Sequence, residues 1–85
     1  MNLKEAKDIF EEISELCNRI EDANLIKALE SIYQDIEKAE TVYSVVELTS
    51  DLMFYVDDIS WDDEEIEQVK LEIQDLYNTL RDEAE

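Results

Sequence analysis

Leu3, Ala6, Ile9, Phe10, Ile13, Leu16, Cys17 and Ile20 recur at steps of three and four, taken singly or split by one, with charged residues between them. That spacing puts all eight side chains on one stripe of an α-helix. Asn2 stands where its side chain can accept from the third helical amide and Glu5 can reach back, so the helix is expected to start at about Leu3. Its end is less defined. Glu21-Asp22-Ala23-Asn24 offers cap-forming side chains but no glycine or proline, which leaves either a break or a kinked continuation.

Leu25, Ala28, Leu29, Ile32, Tyr33, Ile36 and Ala39 continue the helical period and predict a second helix over about 24–40, folded back on the first as a hairpin. Thr41-Val42-Tyr43-Ser44-Val45-Val46 is β-branched enough to read as a strand, but a lone strand has no partner to pair with. Val45, Leu48, Leu52, Tyr55 and Ile59 instead keep alternating steps of three and four, and Ser44 to Glu47 has the form of a capping box. A third helix is therefore expected there. Ser60-Trp61-Asp62-Asp63 forms another capping box ahead of a fourth helix, whose core face is Ile66, Val69, Ile73, Leu76, Tyr77 and Leu80. The expected fold is all-α: a small antiparallel four-helix bundle with short connections, in one domain spanning 1–85, with a three-helix or dimeric arrangement as the alternative.

Composition sharpens the picture. The chain has no glycine and no proline, which argues against turn-rich β folds and phosphate-cradling loops. A chain of 85 residues has a modest core, burying roughly 60–65% of its unfolded surface. At 45% hydrophobic residues it is nonetheless too apolar for the disordered class. Asp and Glu number 25 against 7 Lys and Arg, and with no histidine the net charge is −18. Such a protein is repelled by nucleic-acid phosphates and by anionic lipid, both of which recruit Lys and Arg, so neither nucleic acid nor membrane is an expected direct partner. Met1 to Phe10 lacks a signal-peptide apolar run, and Cys17 cannot form an internal disulfide; a reducing cytoplasm is the expected location, with Cys17 a small buried hydrophobe.

Several groups could carry function. Glu5, Asp8, Glu12 and Glu15 form an outward stripe in which charges recur about every 5 Å, and several such stripes side by side, with Glu65, Glu72, Asp75 and Asp82 and the shorter row Glu30, Glu37 and Glu40, could present a field comparable to a row of phosphates and suit a decoy aimed at a basic, nucleic-acid-binding protein. Asp57, Asp58, Asp62, Asp63, Glu64 and Glu65 surround Trp61, the anatomy of an aromatic anchor with a charged rim, or else of a lid on the bundle end. These residues are the expected partner-binding surface of an interaction module. Tyr43, Val46, Met53 and Phe54 give the third helix a second apolar face, which a homodimer could bury; a self-associating structural protein without a decoy role is the alternative.

The catalytic possibility rests on carboxylates alone, since histidine is absent and Cys17 is expected inside. Glu12 with Glu15, and Glu47 with Asp51, lie one turn apart in their helices and could hold Mg²⁺ if the pairs faced each other. The segments Glu11-Glu12-Ile13-Ser14-Glu15-Leu16 and Ser50-Asp51-Leu52-Met53-Phe54-Tyr55 resemble the two metal motifs of MazG-type nucleotide pyrophosphohydrolases. That resemblance implies an all-helical, Mg²⁺-dependent enzyme cleaving nucleoside triphosphates. The chain departs from the family at Leu48, where the glutamate of the E-x-x-D motif belongs, and has no following Lys/Arg cluster to hold a triphosphate. The expectation is accordingly a binding protein with no catalytic residue and no cofactor.

Overall fold

The computed structural model describes residues 1–59 and 63–84. Four helices follow one another: α1 (Leu3–Ile20), α2 (Ala23–Lys38), α3 (Val42–Asp57) and α4 (Glu64–Ala84), with no strand among the described residues. α1 packs most extensively on α4 and α2 on α3; α3 also meets α4, and α1 meets both α2 and α3. No α2–α4 contact completes the set, so the bundle is flattened into a rhombus with α1 and α3 on its short diagonal. The connections are too short for anything but antiparallel neighbours. The molecule is accordingly elongated, 36 × 23 × 17 Å.

The break between α1 and α2 is resolved as a full reversal. Glu21 takes up the left-handed conformation, φ 59° and ψ 25°, and ends α1 without a glycine. Asp22 then caps α2, its Oδ1 accepting from the Leu25 amide at 2.9 Å. Asn2 caps α1 as expected, accepting from Glu5 N at 2.8 Å. α2 spans Ala23–Lys38 rather than 24–40, because Ala39 is already extended at ψ 134°.

At α3 the cap is Thr41 and not Ser44. Thr41 Oγ1 accepts from the Ser44 amide at 3.1 Å and donates to Ser44 Oγ at 2.9 Å, so the earlier hydroxyl wins and the helix gains Val42, Tyr43 and Ser44. The expected Ser60 cap lies outside the described residues; within them, Asp63 Oδ1 accepts from Glu65 N at 2.8 Å.

The core contains the expected stripes: Phe10, Ile13 and Cys17 of α1, Leu25 and Leu29 of α2, Val45 and Leu52 of α3, Ile73 and Leu80 of α4. Phe10 is fully buried, its ring tilted 50° against Tyr33 with centroids 6.0 Å apart. Burial pushes the Cys17 thiol up to about 12, which leaves it protonated and chemically inert at neutral pH. Three buried polar residues belong to no apolar stripe: Ser14, Thr49 and Lys70. Thr49 satisfies its hydroxyl on the Val45 carbonyl one turn back, at 2.7 Å.

Lys70 is the unexpected one. It is 0% exposed, covered by its neighbours yet close beneath the surface, and its Nζ donates to the Ile59 carbonyl at 2.8 Å. Four residues after Ile66 and three before Ile73, it stands on the core-facing arc of α4. Its stem fills that arc while its ammonium ties α4 to the end of α3.

Candidate functional site

The acidic residues are where the helix pattern puts them. Glu5, Asp8, Glu12 and Glu15 are all exposed on the outward side of α1, and Asp57, Asp58, Asp63, Glu64 and Glu65 are exposed where α3 ends and α4 begins. The stripe and the cluster belong to different elements, and the stripe rises along α1 for about 15 Å. Trp61 and Asp62, expected as anchor and rim, lie outside the described residues.

These carboxylates are scarcely neutralised. Between described residues the one ion pair is Arg81–Asp82, at 3.9 Å and exposed on both sides. The i, i+4 pairs between described residues, Glu15–Arg19, Lys4–Asp8 and Lys7–Glu11, do not close within that distance. Lys7 instead donates to the Glu37 carbonyl at 3.2 Å, where the last turn of α2 has carbonyls without helical partners. Arg81 lies 5.8 Å from the Tyr77 ring centroid, and the Lys70 ammonium, close beneath the surface, donates to the Ile59 carbonyl. Seven Lys and Arg against 25 Asp and Glu leave most of the surface charge without an opposite charge. Self-repulsion therefore opposes folding, and raising NaCl from about 0.02 to 0.3 M is expected to raise the melting temperature, followed by circular dichroism. An unchanged melting point would show that the repulsion is already relieved.

The second apolar face of α3 is real but differently composed. Tyr43 and Phe54 are 70% and 68% exposed. Val46 is half-buried against the core, and Met53 is buried within it, because eight residues after Val45 and four after Thr49 bring it back to the inward stripe. Tyr55, expected in the core, is 46% exposed at the edge facing α2. Tyr43, Glu47, Phe54 and Asp58 follow at steps of four, seven and four, a single outward line of aromatic and acid in alternation over about 22 Å.

Beside that line runs a shallow groove along the α2–α3 seam. One stretch of it is lined by Asp22, Lys27, Tyr55 and Asp58. The next holds Ala28, Ile32, Phe54 and Asp51. A third, sharing Asp51, passes Asp35, Lys38 and Glu47 toward the other end of the bundle. Sequence reasoning missed this seam, since Asp22, Asp35 and Tyr55 come together only once α2 and α3 pair.

The metal arrangement is not formed. Among the described residues no three acidic or thiol side chains are grouped so as to hold an ion, and Glu12, Glu15, Glu47 and Asp51 are not brought together. Glu47 and Asp51 border the α2–α3 groove, while Glu12 and Glu15 lie on the outward stripe of α1. Turning both pairs inward would need Ile13 and Leu52 to give up the core. No helix among the described residues is long and apolar enough to cross a membrane. The sequence matches no protein-family model, and neither the curated proteins nor the solved structures returned a match.

Proposed function

We propose that this chain is a small acidic interaction module that binds a basic protein surface. The observation that carries the reading is the outward stripe of α1, whose four carboxylates are exposed and form no ion pair with a described residue. A field of this kind steers a cationic partner and speeds its encounter, and its rows of charge at helical spacing imitate a phosphate row closely enough to compete for a nucleic-acid-binding groove. The partner class is therefore a basic protein, and the finer reading is a nucleic-acid-mimicking inhibitor.

The test is a triple charge reversal, Asp8→Lys with Glu12→Lys and Glu15→Lys, compared with the unaltered protein in low-salt capture from source-cell lysate. Helix content by circular dichroism is expected to persist, because all three side chains are exposed. A basic protein is expected to be retained by the unaltered chain, released by NaCl, competed off by duplex DNA and lost by the triple variant. Equal retention by the two proteins would remove the α1 stripe from the function, and retention that DNA does not compete would remove the mimicry.

A further inference from the structure

The α1 stripe accounts for charge but leaves the most exposed aromatics among the described residues unused. Tyr43, Phe54 and Tyr55 stand 70%, 68% and 46% exposed on one helix, and Phe54 and Tyr55 border the groove between α2 and α3. Large apolar side chains held in water along a continuous groove mark a place where another surface docks. The groove's floor supplies Ala28 and Ile32, and its rim supplies Asp35, Glu47, Asp51 and Asp58. Lys27 and Lys38 are its only cations among the lining residues, so the rim stays net negative.

We propose that the α2–α3 seam is the docking site for a cationic amphipathic helix of a partner protein. Shape and charge each narrow the occupant. The seam lies between two antiparallel helices of 16 residues each, about 24 Å long, which is the form into which a third helix settles by ridges into grooves. Leucine- or isoleucine-like residues at i, i+3/i+4 and i+7 would cover Ala28, Ile32, Phe54 and Tyr55. Lys or Arg on the flanks would reach Asp51 and Asp58 and lie over the aromatic faces.

A second copy of this chain fits poorly. A two-fold contact through the seam would bring two net-negative rims together, between two molecules each carrying −18. The proposal rests on the reading of the chain as a binder of basic protein. It goes further by naming the site and the kind of segment the site takes.

The probe is a fluorescein-labelled 18-residue peptide of leucine and lysine in amphipathic helical order, compared by anisotropy at about 0.15 M NaCl with a peptide of the same composition in scrambled order. The ordered peptide is expected to bind about tenfold more tightly than the scrambled one. Phe54→Ser with Tyr55→Ser is expected to abolish that difference, and the exposure of both side chains keeps the fold intact, checked by circular dichroism. The α1 triple reversal is expected to preserve the preference for the ordered peptide.

Equal binding of the two peptides, or loss of the preference on reversing α1 and not on removing the aromatics, would overturn the seam as the site. In that case DNA-competed capture from lysate would still stand for the acidic-module reading, whereas loss of that capture as well would remove both. Sedimentation of the unaltered chain as a dimer that Phe54→Ser dissociates would also overturn the proposal, by giving the groove to a second copy.

Discussion

Replacing Phe10 with alanine is expected to lower the unfolding free energy by about 3–5 kcal/mol, the usual range for deleting a fully buried phenylalanine. A chain of this size holds only about 4–13 kcal/mol in total, so the variant sits at or near its folding threshold. Phe10 lies on α1, which like α3 touches all three other helices, and its ring meets Tyr33 across the α1–α2 interface. The cavity therefore opens where the packing converges, and no single neighbour can collapse into it. Thermal melts followed at the helix band are expected to shift down by roughly 15–30 °C. A shift below about 5 °C would mean that α1 repacks and that its register is not fixed by this ring. Phe10→Leu, which restores much of the volume, is expected to recover most of the loss.

Lys70→Ala is expected to cost about 2–3 kcal/mol in urea unfolding, through the loss of its buried stem and of the Nζ bond to Ile59. Lys70→Met keeps the stem and is expected to recover most of that, since a methionine chain fills a similar volume without a charge to desolvate. The pair separates the packing of the stem from the polar contacts of the ammonium. Burial pulls the Lys70 ammonium below its ordinary value of 10.5, with Asp57 pulling the other way. The folded chain therefore gives up this proton before the unfolded chain does. Between the lowered value and 10.5 the unfolded state holds more protons, so stability contributed through Lys70 rises with pH in that window. Measured against Lys70→Met, the unaltered protein is expected to gain stability as pH climbs toward 10.5 and to show no such trend at lower pH. A constant difference across the range would mean that the ammonium is as well solvated folded as unfolded.

The four helices were legible because each carries its apolar residues at the helical period, and caps such as Asn2 and Asp22 are local chemistry that needs no tertiary knowledge. Thr41 was harder. Two hydroxyl residues three apart, Thr41 and Ser44, both begin plausible caps, and only the completed helix shows that the first is used. Met53 and Tyr55 exchanged places relative to expectation for a related reason: α3 is apolar on most sides, so periodicity alone cannot locate its centre. Lys70 escaped because a lysine on an apolar arc reads as an interruption, although its spacing from Ile66 and Ile73 already placed it there. The α2–α3 groove could not be read at all. It belongs to a pair of helices, and the sequence orders residues within each one but does not say which flank of one meets which flank of the other.

The most extensive packing in the bundle joins α1 to α4, the two helices farthest apart in sequence. During synthesis, α1, α2 and α3 emerge with that surface of α1 still bare. At ribosomal speeds the 21 residues of α4 take about 1–4 s to make. Until α4 is made, α1 lacks the surface that covers it most extensively in the finished bundle, so the largest interface is the last to close.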